Sequence, residues 1–82
     1  MKRVDLPTSV DVLIDEQGRP RVRSFSWGGQ RLPVISIGRT WMDDAGRHLL
    51  VMAAGEQSFE LLLRRSDLTW RVLGRLSRES LA

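Results

Sequence analysis

The stretch Arg21-Val22-Arg23-Ser24-Phe25-Ser26-Trp27-Gly28-Gly29-Gln30-Arg31-Leu32 decides the fold. Arg21, Arg23, Phe25 and Trp27 alternate with Val22, Ser24 and Ser26, the period of two that belongs to a strand with one face turned inward. Gly28-Gly29 follows, and paired glycines take the positive φ that the primed turns of a tight hairpin require. A β-hairpin is therefore predicted here, with Phe25 and Trp27 entering the core while Arg21 and Arg23 reach solvent near its rim.

The same punctuation recurs on both sides. Asp15-Glu16-Gln17-Gly18 lies upstream, and Asp43-Asp44-Ala45-Gly46 and Ala54-Gly55-Glu56 lie downstream. Each gap between these groups suits one strand, so the chain reads as an antiparallel meander. Upstream of the first turn, Val10, Val12 and Ile14 alternate with Asp11 and Leu13, and Pro7 precedes them as a residue suited to a first or edge strand. Downstream, the run from Arg31 to about Trp41 changes the phase of its apolar residues between Val34 and Ile35. With Pro33 and Gly38 beside that change, a bent or bulged strand is expected.

His48 to Ala54 is apolar in both phases, as in a central strand covered on both faces. Phe59, Leu61 and Leu63 give a further strand. The segment from Leu68 to Leu76 fits either a strand or an amphipathic helix, with Trp70 and Val72 favouring the strand. The expected architecture is all-β: a five- or six-stranded antiparallel meander curled into a small, partly open barrel. It forms a single domain over residues 1–82, with its ordered part at about 8–76 and flexible ends at 1–7 and 77–82, the latter able to form a short helix. Val10, Val12, Ile14, Phe25, Trp27, Leu50, Met52, Phe59, Leu61 and Val72 are expected in the core.

At 82 residues the chain allows one modest core, because a domain this small buries only about 60% of the surface its unfolded chain exposes. There are no cysteines, which excludes a disulfide framework and a thiolate metal site. The opening Met1-Lys2-Arg3 is followed by Asp5, Pro7 and Asp11 before any adequate apolar run, so neither a signal peptide nor a membrane span is expected, and a cytoplasmic location is. The 13 basic residues, all but Lys2 being arginine, exceed the 10 acidic ones and give a net charge of +3. That excess draws polyanions weakly, well short of a dedicated DNA-binding surface.

Three stretches carry a resemblance. Val10-Asp11-Val12 through Asp15 to Gly18-Arg19-Pro20, then Phe25-Ser26-Trp27-Gly28-Gly29-Gln30-Arg31, then Phe59-Glu60-Leu61 with Trp70-Arg71-Val72 resemble a family of small bacterial all-β domains of unknown function. Members occur alone or appended to polypeptides related to translesion DNA polymerases. The resemblance runs from about Val10 to Leu76 and rests on turn and core residues, so it implies a fold and a DNA-related setting, not a chemistry.

No enzyme emerges from the residues. His48 is the only histidine and reads as a rim or satisfied core residue, with no nucleophile or orienting acid marked by spacing. Asp43-Asp44 reads as a polar turn and lacks the alternating oxygen ligands of a calcium loop. Gly28-Gly29 lacks the lysine and helix of a phosphate cradle, and Glu60, Glu56 and Asp11 read as solvated side chains. No catalytic residue, metal site or cofactor is expected.

The remaining signal is arginine with aromatics. Arg21, Arg23 and Arg31 on one hairpin, and Arg71 and Arg75 on the last strand, would meet if the barrel closes by joining its first and last strands. Trp41, ending the bent strand beside a polar loop, is the candidate stacking platform. These six residues define a nucleic-acid-binding hypothesis for a non-catalytic accessory domain. The alternative is a protein-interaction module that pairs an edge strand with a partner, including a second copy of itself, so that the chain is a monomer or a weak homodimer.

Overall fold

A computed structural model describes residues 2–76. Seven strands follow one another: β1 (Lys2–Pro7), β2 (Val10–Ile14), β3 (Pro20–Trp27), β4 (Gln30–Met42), β5 (Gly46–Ala53), β6 (Gln57–Arg64) and β7 (Trp70–Leu76). All neighbours pair antiparallel in the order β1-β7-β6-β5-β4-β3-β2. The two outermost strands, β1 and β2, are joined by Thr8-Ser9 alone, so the sheet must curl until its ends meet, and it forms a half-barrel. The all-β antiparallel reading stands.

The strand count is higher than expected because residues 2–7, read from sequence as a loose end, form β1. Val4 and Leu6 alternate with Arg3 and Asp5, but the run is too short and too polar to stand out. It is ordered by β7, which it pairs across a bulge, and by Arg71, whose Nε donates to Asp5 Oδ1 at 2.7 Å. The chain then turns a corner at Thr8. The Thr8 N–H donates to the Trp70 carbonyl at 3.1 Å, and its hydroxyl donates to the Ser26 carbonyl at 2.8 Å, linking β7 to β3 through one residue. Residues 68–76 contain strand β7, whereas the short helix allowed over 77–82 lies outside the described residues.

One strand changes partners, as happens at the corners of curled sheets. β4 pairs with β3 through Gln30–Pro33 and with β5 from Val34 onward, with register shifts between Val34 and Ser36 and between Ile37 and Thr40. The bend expected near Pro33 and Gly38 is therefore present. At the β3–β4 turn, Gly28 and Gly29 both have positive φ, 59° and 78°, as the primed turn demands.

The core lies inside the curl. Phe25 and Phe59 are fully buried with ring centroids 5.1 Å apart, and Trp27 meets Phe59 at 5.0 Å, both edge to face. Val22, Leu49, Val51, Ala53, Leu61 and Val72 complete the cluster, with Val10 and Val12 half-buried against it. Leu50 and Met52 are not inward, contrary to expectation; Leu49, Val51 and Ala53 are. A run apolar in both phases carries no preferred face, and the choice falls to the polar pair described below. Ile14, also expected inside, is exposed at the end of β2.

Candidate functional site

β5 and β6 are covered on both faces. On the face away from the core, His48 is 3% exposed and Glu60 5% exposed. The hairpin register sets His48 opposite Leu62 and Glu60 opposite Leu50, which makes His48 and Glu60 diagonal neighbours within reach of each other. Nδ1 of His48 lies 2.8 Å from Glu60 Oε2. Nε2 lies 2.8 Å from Asp43 Oδ2, off the line of a ring N–H hydrogen bond.

Trp41, directly opposite His48 on β4, stacks on the imidazole with centroids 4.9 Å apart and planes within 3°, and the Arg39 guanidinium lies 5.4 Å from the Trp41 ring. Asp43 also accepts from the N–H groups of Ala45 and Gly46, at 2.9 and 3.2 Å, and so caps the β4–β5 turn. The His48 ring, with those two N–H groups, holds the Asp43 carboxyl below the ordinary carboxylate range against an opposing desolvation. The two carboxylates flank opposite ring nitrogens and cannot converge on one ion, and among the described residues no cluster of three His, Asp or Glu is placed to hold a metal. Asp43 lies in the β4–β5 turn, and His48 is a buried residue whose Nδ1 is hydrogen-bonded while its Nε2 is not. Glu60 is a correction: it is buried against His48, not solvated.

The other feature is a cleft of about 670 Å³ between β3 and the second half of β4. It opens because β4 leaves β3 after Pro33. Pro20–Arg23 of β3 and Ile35–Met42 of β4 then each keep one strand edge with no ladder partner among the described residues. Leu13, Val22, Val34, Ile35 and Ile37 give the cleft an apolar lining, and Arg21 and Arg23 stand beside it. Ile35 is 65% exposed. β1 and β2 also leave one edge each, but Pro7 and the Thr8–Ser9 corner interrupt that line.

The six residues named from sequence fall into separate places. Arg21 and Arg23 are exposed at the cleft. Arg31 and Arg71 both hold the N-terminal segment, at Ser9 and at Asp5. Arg31 Nη1 donates to the Ser9 carbonyl and hydroxyl at 2.9 and 2.8 Å, and Arg71 donates from Nε to the Asp5 carboxylate at 2.7 Å and from Nη2 to the Asp5 carbonyl at 3.1 Å. Arg75 is exposed on β7. Trp41 is half-buried between His48 and Arg39 and offers no free ring face for a base.

Sequence reasoning missed the cleft, because Ile35 and Ile37 read as ordinary strand residues until the change of partner at Pro33 is known. It also missed Glu60, although a turn centred on Gly55 already places positions 48 and 60 on one face. Among the described residues no helix is long and apolar enough to cross a membrane. Comparison of the chain with protein-family models, with curated proteins and with solved structures returned no match.

Proposed function

We propose that this protein is a non-catalytic binding module that captures an extended polypeptide by strand pairing in the β3–β4 cleft. The observation that supports this is the pair of unpartnered strand edges facing each other over an apolar lining. Unpaired backbone N–H and C=O groups along a strand are a template for a further strand, and the side chains beneath them read alternate residues of the ligand. The His48 cluster supports the non-catalytic reading, since each ring nitrogen already faces a carboxylate and the ring serves to lock β4, β5 and β6 together.

The test is selection of displayed peptides on the whole chain, recounted on Ile35→Asp, which changes only an exposed side chain. Extended sequences that enrich on the wild type and lose enrichment on the variant are the expected result. Equal enrichment on both proteins contradicts the reading.

Nucleic-acid contact is the second reading, favoured by Arg21 and Arg23, which have no carboxylate partner among the described residues. The resemblance to domains joined to translesion-polymerase-like chains points the same way, as does the net charge of +3. Retention of oligonucleotides that falls steeply with added salt and vanishes in Arg21→Glu/Arg23→Glu would favour it over strand pairing.

A further inference from the structure

We infer that the strand this cleft takes is acidic, an extended segment in which apolar and carboxylate side chains alternate. The inference rests on the strand-pairing reading and adds the chemistry of the partner. A strand laid between the free edges of β3 and β4 turns alternate side chains to the core side of the sheet, where Val34 and Ile37 stand opposite Ala53 and Val51 and Val22 is buried on β3. That face selects apolar groups at every second position of the occupant. The same strand runs beside Arg21 and Arg23, and among the described residues no carboxylate lines the cleft to compensate them. Two exposed guanidinium groups without a counter-charge favour an occupant that brings carboxylates of its own.

Two other occupants fit worse. A second copy docked on this face brings Arg21 and Arg23 against their own counterparts across a two-fold axis, and like charges meet. A nucleic acid supplies phosphates but finds no aromatic ring among the residues lining the cleft, and it has no use for two free strand edges.

The experiment titrates three capped peptides onto the isotope-labelled whole chain and follows backbone amide shifts: alternating Val and Glu, alternating Val and Thr, and alternating Val and Lys. The Val/Glu peptide is expected to bind about tenfold more tightly than Val/Thr, as two exposed charge pairs allow. Its shifts should be concentrated at Arg21–Arg23 and Ile35–Ile37, with Val/Lys weakest. Arg21→Glu/Arg23→Glu, whose fold is checked by its dispersed amide spectrum, is expected to reverse the order of Glu and Lys peptides. Equal binding of Val/Thr and Val/Glu at Ile35–Ile37 overturns the acidic inference and leaves strand pairing standing. Shifts confined to other arginines, or no shift at Ile35–Ile37 with any peptide, overturn both.

Discussion

The β5–β6 hairpin and the β2–β3 hairpin are both antiparallel pairs in one sheet, and they are built to different ends. β5 and β6 keep an unbroken register from Gly46 opposite Arg64 to Ala53 opposite Gln57, with buried residues on both faces. β2 and β3 lose register between Asp11 and Val12, leave Leu13 and Ile14 exposed, and free the first half of β3 from β4. The difference teaches where a small domain keeps its stability and where it keeps surface for something else. Regions with few buried contacts open at low cost and are where binding surfaces are drawn from.

The largest expected effect separates the two regions directly. Phe59→Ala removes a fully buried ring that touches both Phe25 and Trp27, and it is expected to cost about 3–5 kcal/mol in urea denaturation. Ile35→Ala, at the cleft, is expected to stay within about 0.5 kcal/mol of the wild type. A comparable loss from both substitutions would erase the contrast.

Next comes the backbone of the covered hairpin. Gly46 has φ of 146°, and a Cβ built there would lie against the Leu63 carbonyl and close to the Arg65 N–H. Neither is the end of a flexible side chain. Gly46→Ala is expected to cost about 3 kcal/mol and to loosen the β4–β5 turn, seen as a lower melting temperature with faster exchange of the Arg65 N–H, which donates to Ala45 at 2.8 Å. A neutral Gly46→Ala would mean that this hairpin is less tightly specified than its register implies.

The smallest effect is one of pH. Asp43 is held below its ordinary value of 3.8, so its contribution is fully present above that pH and is lost as pH falls through the lower folded value. Asp43→Asn should therefore be less stable than the wild type near neutrality and should approach it in acid. A gap that does not narrow on acidification would show that the charge of the Asp43 carboxylate is not what stabilises the turn.

How much of this was legible in the sequence depended on how local the cause was. Gly28-Gly29 dictates its turn by itself, and the phase change at Val34 announces a bend that the register confirms. The face of β5 was not legible, because His48 to Ala54 offers apolar residues in both phases and the decision lies with Glu60 on the next strand. β1 was missed for a similar reason: its order depends on Arg71, 66 residues away. The arginines named for nucleic acid were read as one class, whereas contacts distant in sequence divide them. Arg31 and Arg71 hold the N-terminal strand, and Arg21 and Arg23 remain at the cleft. Trp41 looked free beside a polar loop only because its neighbour in space, His48, comes from another strand.

The central claim is that β3 and β4 hold open an edge for an incoming strand, and amide hydrogen exchange in the presence and absence of the Val/Glu peptide tests it most directly. Rapid exchange of the β4 amides between Ile35 and Met42 that do not face β5, becoming slow when the peptide is added while β5 and β6 are protected throughout, is the predicted result. Protection of those amides in the free protein, or peptide-induced protection elsewhere on the sheet with none at β4, would contradict it.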